Sequence, residues 1–225
     1  MKPIILWLLL LATVSVYSSK DSSCDSDTSE DSSADPRPPP PRWWKCETGW
    51  EKVTRTKGKW CIKVFPGTIN IYDATYQCKQ YGAVVSSVEN EQERNFIHAE
   101  GVKILAALKK DIHQGSLWIG GQRREPCRGW KKNSKGCTPW ADNAYEWTDG
   151  FTVGKSMFHF RPNQPDYLKD AQNNVYLHIV DKPGGVGSAG ATPGSLDDIE
   201  GNITNSTQNL QYVRGYVCGK RATPA

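Results

Sequence analysis

The sequence predicts an α+β domain in which two helices precede a series of short strands, stapled by disulfides. Three observations predict it. Helical patterns stand side by side at 70–83 and 90–110, four strand-like runs follow, and six of seven cysteines fall between residues 46 and 218. Helices grouped ahead of strands argue against a parallel βαβ array.

The chain opens with "MKPIILWLLLLATVSVYSS", a lysine, an apolar run from Ile4 to Val14 and then small residues. This is the pattern of a secretory signal peptide, expected at 1–18. The apolar run is too short for a membrane span, which takes roughly 20 residues. The mature protein is therefore expected outside the cell, with no membrane partner and with disulfides as the default state of its cysteines. Residues 19–42 are acidic and serine-rich and end in prolines, the composition of a disordered linker. A single globular domain is expected over 43–221, with a short tail at 222–225. Cys24 lies in the linker and is the odd cysteine, which leaves a capped thiol or a Cys24-linked dimer open.

Within the domain, Cys46 and Cys61 are close enough in sequence to staple a hairpin in "CETGWEKVTRTKGKWCIKVF". The first helix lies in "NIYDATYQCKQYGA": Asp73 is expected to cap it and Gly82 to end it. Ala74, Cys78 and Tyr81 recur at helical spacing, which puts Cys78 on the buried face. The second helix opens on an Asn90–Glu93 capping box and carries an apolar stripe of Phe96, Ile97, Ile104, Leu105 and Leu108. The strands are "SLWIGG", "AYEWTDG", "NVYLHIV" and "LQYVRGYVCG".

Charge is unevenly divided. Residues 20–42 hold six acids and three bases, whereas the remainder of the mature chain carries 24 Lys plus Arg against 18 Asp plus Glu. Basic density peaks in "RREPCRGWKKNSKGC", residues 123–137, read as a solvated loop in preference to an anion site. No nucleic-acid motif accompanies it.

The motifs "GWEK", "WCIKVF", "DATYQCKQYGAVVSSVENEQERNFI", "WIGG", "YEWTDG", "QPD" and "GYVCGK" occur in the order of a C-type lectin-like domain. From Cys46 to Lys220 the chain resembles the secreted, nematode-type members of that family. The resemblance implies two helices, short antiparallel strands and a long irregular ligand loop. It implies the bridges Cys46–Cys61, Cys78–Cys218 and Cys127–Cys137. The family's second internal bridge would fall at Asn174 and Gly201, so here it is missing as a whole.

The resemblance also implies a calcium-binding loop. Ca²⁺ takes roughly 6–8 oxygen ligands, and the implied set is Gln164, Asp166, Asp197 and Asp198. Gln164 and Asp166 flank Pro165, the residue type that makes a cis peptide accessible. Gln172 stands where the family has a glutamate and Asp197 where it has an asparagine, so the formal ligand charge stays at −3. Sugar contacts are implied at Gln164, Asp166, Gln172 and Asp197. The order amide-before-carboxylate resembles galactose-type members, so galactose or N-acetylgalactosamine is the expected glycan. The expected function is that of a secreted, calcium-dependent, carbohydrate-binding lectin in innate recognition of foreign glycans. The alternative is a calcium-independent module of the same fold that binds a protein or an anionic ligand.

Catalytic patterns are missing. Gly185–Gly190 matches GxGxxG, but "ATPGSLDD" follows and no helix can start there to hold a phosphate. His98, His113, His159 and His178 show no HExxH spacing, and no serine sits in GxSxG. No enzyme is expected. Two glycosylation sequons, at Asn202 and Asn205, lie in a polar insert.

Overall fold

The computed structural model describes residues 43–108, 112–129, 135–138, 143–182, 190–203 and 212–225. The chain runs β1 (Trp44–Lys45), β2 (Glu51–Arg55), β3 (Gly58–Pro66), α1 (Ile71–Gln80), β4 (Val84–Val85) and α2 (Glu91–Ala107). It continues through β5 (Gln114–Arg123), β6 (Tyr145–Trp147), β7 (Asn174–Val180), β8 (Leu196–Ile199), β9 (Val213–Arg221) and β10 (Thr223–Pro224). The signal peptide, the linker with Cys24, Trp130, Trp140, the run 183–189 and Asn205 lie outside the described residues. Among the described residues no helix is long and apolar enough to cross a membrane.

The main sheet has the order β2-β3-β9-β5-β7-β8, with β4 added to β9 and β6 to β5. β1 and β10 pair separately and bring the two ends of the domain together. Pairing is antiparallel with one exception. β9, the long strand near the end of the chain, returns between β3 and β5 and runs parallel to β5.

Both helices begin where polar caps stand. Asn70, not Asp73, caps α1, and its side chain accepts the Asp73 N–H at 2.8 Å. Asp73, the expected cap, occupies the third helical position and takes the Asn70 amide at 2.9 Å. Gly82 follows the helix with a φ of 61°, the left-handed conformation that glycine adopts without a Cβ clash. α2 starts as expected: the Asn90 side chain accepts the Glu93 N–H at 3.0 Å. Ile97 and Leu105 are buried, Phe96 and Ile104 pack beside them, and Leu108 is 38% exposed. Gly101 lets α2 approach β7, because a Cβ there would stand 2.2 Å from Ile179 Cγ2.

The core forms two large clusters and a small one of Val180 and Ala191. One gathers Ile62, Ile97, Leu117, Ile119, Leu177 and Leu196. The other gathers Trp50, Cys78, Trp118, Tyr176 and Cys218. The three bridges are Cys46–Cys61, Cys78–Cys218 and Cys127–Cys137, as the family resemblance implied. At the α2 end of the sheet Arg55 is buried. It donates to both Glu93 oxygens at 2.8 and 3.0 Å, to Asp149 at 2.8 Å and to the Ser87 carbonyl at 2.8 Å. Burial raises the Glu93 pKa against the pull of Arg55. At Asp149 burial also pushes upward, but Arg55 and the amides of Thr152 and Phe151 outweigh it and hold the carboxyl below its usual range.

Candidate functional site

The Gln164-Pro165-Asp166 segment follows a turn in which the Gln164 N–H bonds the Arg161 carbonyl at 3.1 Å. The Gln164–Pro165 peptide is cis, as the sequence suggested. Asn163, Tyr167, Lys169 and Asp170 all have positive φ near 60°. A cluster of non-glycine residues in the left-handed region is uncommon and costs energy that the surroundings offset. What holds this loop lies mostly in other elements.

Asp198 is its main anchor. The carboxylate is fully buried and accepts the N–H of Asp166 at 3.2 Å and of Tyr167 at 3.0 Å. The Tyr145 hydroxyl donates to it at 2.9 Å. Burial lifts the Asp198 pKa to about 6, despite those three hydrogen bonds. Burial and the Asp198 charge together raise the Tyr145 hydroxyl, so it remains a donor. Gln172 is also buried, and its Oε1 accepts the Leu168 N–H at 2.8 Å. Asp166 is exposed and accepts the same N–H at 3.1 Å.

Asp197 points elsewhere. It lies in β8 opposite Tyr176 of β7, and successive side chains of a strand face opposite sides. Two N–H groups of Arg161 converge on its Oδ2, both at 2.7 Å. The Tyr176 hydroxyl stands at 3.4 Å and His178 Nε2 at 3.6 Å from the same oxygen. Asp197 Oδ1 and Gln164 Oε1 are buried acceptors with no hydrogen-bond partner.

The expected ligand set is therefore divided. Asp198 faces the loop backbone with both oxygens engaged, and Asp197 faces Arg161. Among the described residues no three His, Cys, Asp or Glu side chains gather as a metal site. The family resemblance implied Ca²⁺ here, but the oxygens of this chain as arranged do not fit the ion. A cation at Asp197 would meet the Arg161 guanidinium.

Sequence reasoning missed Arg161, whose partner is 36 residues away. It also missed Arg123. That side chain bonds the Cys127 carbonyl at 2.8 Å, meets Asp170 at 2.6 Å and lies 4.1 Å from the Tyr167 ring centroid. It thus ties the Cys127–Cys137 loop to the Gln164–Asp170 loop. Arg124 bonds the Gly136 carbonyl at 2.6 Å, and Arg128 the Arg123 carbonyl at 2.9 Å. These three arginines of the basic stretch serve loop structure. The remaining candidates are simply placed. Asn202 is exposed in a turn, His98 bonds the backbone of Val180, and His178 is buried beside Asp197.

Two interleaved helices, a mixed sheet, ends joined by Cys78–Cys218 and an anchored cis-proline loop define a C-type lectin-like domain. The chain belongs to the C-type lectin domain-containing protein 141/158 family, whose pattern matches residues 51–221. It is 29% identical over 138 residues to human C-type mannose receptor 2, covering 58% of this chain and 8% of the receptor. The rat receptor matches at 28% over 137 residues, again 8% of its length. The chain thus spans less than a tenth of the curated relatives it matches. Among solved structures, the C-type lectin CEL-I from Cucumaria echinata is 18% identical, covers 80% of this chain and 99% of its own, and has a TM-score of 0.49.

Proposed function

We propose that the chain is a secreted carbohydrate-binding lectin that takes a glycan at the Gln164–Asp166 loop. One observation carries this reading: a buried carboxylate, Asp198, fixes the backbone of an exposed loop that has Gln164 on one side of Pro165 and Asp166 on the other. With its oxygen buried, the Gln164 amide offers its N–H donors, and an ionised carboxylate accepts only. Such a pair suits two adjacent sugar hydroxyls, each of which donates one bond and accepts others. A loop already ordered loses less entropy when it binds. The family, and relatives named as mannose receptors, support a sugar as the ligand class. Galactose or N-acetylgalactosamine is the first specificity to test, and foreign glycans outside the cell are the setting that suits a secreted domain.

Calcium dependence, the form implied by the family resemblance, requires Arg161 to leave Asp197. The Arg161–Asp197 pair favours the calcium-independent mode instead. The test is binding of the full chain to galactose- and N-acetylgalactosamine-bearing conjugates, in chelator and in calcium. Saturable binding that Asp166→Ala removes is the expected result in both buffers. No binding to any glycan of a broad panel in either buffer rejects the reading and leaves a protein-binding module of the same fold.

A further inference from the structure

Two orphan acceptors, Gln164 Oε1 in the loop and Asp197 Oδ1 in β8, belong to residues joined through a single third one. Arg161 takes the Gln164 N–H on its carbonyl and gives two N–H groups to Asp197 Oδ2. Backbone pairing delivers it there. Leu196 donates to the His159 carbonyl at 2.8 Å, and Arg161 donates to the Leu196 carbonyl at 3.0 Å. Phe160 bridges Leu196 in parallel register between those two bonds. Arg161 is thus stitched to the residue immediately before Asp197.

The charge balance is equally direct. The Asp197 side chain is 1% exposed, and a carboxylate so buried needs a cation or a full set of donors. Tyr176 stands at the long end of hydrogen-bond range and His178 beyond it. The guanidinium provides the principal compensation. Its delocalised charge and fixed N–H fork suit a buried carboxylate better than an ammonium would.

We propose that the Arg161 guanidinium occupies the place of a divalent cation at Asp197, so that the two are mutually exclusive occupants. The chain organises its loop without metal because it carries the cation itself. Removing the guanidinium leaves the two hard oxygens of the buried Asp197 carboxylate without their cation, and so opens that place to a divalent ion. This deepens the metal-free side of the glycan-binding reading and rests on that reading only for the loop's importance. A readout that needs no glycan keeps the two failures apart.

The experiment is thermal unfolding of the full disulfide-bonded chain, in chelator and in millimolar calcium. Wild type, Arg161→Met, Asp197→Asn and the double variant are compared. Wild type should unfold at the same temperature in both buffers. Arg161→Met should fall by roughly 5–15 °C in chelator, the size expected when a buried ion pair loses one partner. Calcium should restore several degrees to Arg161→Met and none to the double variant, which lacks the Asp197 charge. Both single variants should be less stable than the double. A calcium shift in wild type as large as in Arg161→Met overturns the proposal, as does no shift in Arg161→Met. Should Arg161→Met fail to fold in chelator, refolding yield replaces melting. Recovery in calcium then supports exclusivity, and no recovery while the double variant folds rejects it.

Discussion

Asp197 and Asp198 are sequence neighbours in β8, yet one carboxylate takes the Arg161 guanidinium and the other takes the backbone of Asp166 and Tyr167. Strand geometry imposes the division, since adjacent side chains leave a strand on opposite faces. Two acids that read as one site are two anchors of a single loop. Asp198 fixes its backbone, and Asp197 fixes the arginine that precedes it.

The first prediction concerns Asp198 and pH. Burial raises its pKa to about 6 from an ordinary 3.8, so the folded state holds this proton more tightly than the unfolded state does. Its stability contribution is therefore fully present below about 3.8 and is lost as pH rises through 6. At 1.36 kcal/mol per pH unit the loss is about 3 kcal/mol. Other carboxylates, Asp149 among them, act with opposite sign, so the measurement is a difference. Urea unfolding of wild type minus Asp198→Asn should decline from pH 4 to pH 7. A flat difference across that window rejects the assignment.

The legible parts of the fold were those written in local chemistry. Asn90 with Glu93 marked one helix start, Gly82 marked a helix end, and Pro165 marked the cis bond. The strand β8 was not legible. "SLDDIEG" has the composition of a loop, and Asp197 and Asp198 suit a strand only because distant side chains receive their charges. Arg161, Tyr145 and the register against β7 supply that context, and none of them is near in sequence. The residues expected to hold an ion were identified by position in a family pattern, which says nothing of a guanidinium arriving from the preceding turn.

Arg55 carries the second prediction. It is the only cation in contact with both Glu93 and Asp149 among the described residues, and the side chains of all three are fully buried. Arg55→Met leaves two buried carboxylates without a cation, at a cost of roughly 3–5 kcal/mol. Arg55→Lys should be nearly as damaging, because a single ammonium cannot reproduce a fork that reaches Glu93, Asp149 and Ser87 together. Equilibrium urea unfolding measures both. A loss below 1 kcal/mol in Arg55→Met, a threshold at the level of exposed ion pairs, contradicts the account.

The third prediction is a modification. Asn202 is exposed in a turn and begins the sequon Asn202-Ile203-Thr204. Its neighbour Gly201 packs against Ile71 and Tyr72, so the backbone is held at the surface while the Asn202 side chain is left in solvent. An exposed acceptor is what attachment requires. Peptide mapping of protein from a eukaryotic secretory host should find a glycan at Asn202 that Asn202→Gln removes. An unmodified Asn202 in such material refutes the prediction.

The last prediction follows from the bridge that this chain lacks. Asn174 and Gly201 stand where the family resemblance places a second internal disulfide, and the structure brings them together. A Cβ built on Gly201 would lie 2.7 Å from Asn174 Nδ2 and 2.8 Å from Ile71 Cγ2. The amide therefore fills the volume that a partner sulfur would take, and Gly201 leaves room for it. Gly201→Cys alone should destabilise the fold, because its Cβ meets the Asn174 side chain. Asn174→Cys with Gly201→Cys removes that clash, and the backbones are already aligned by the pairing of Asn174 with Ile199 in β7 and β8. The closed loop contains the glycine-rich run, β8 and Arg161's partner Asp197, so the bridge restricts the unfolded chain from β7 through β8. A bridge of this length contributes about 2–4 kcal/mol when it forms without strain. The double variant, oxidised, should melt above wild type and above its own reduced form, and thiol titration should find both cysteines protected. Free thiols at 174 and 201 in the folded, oxidised protein would falsify the predicted geometry.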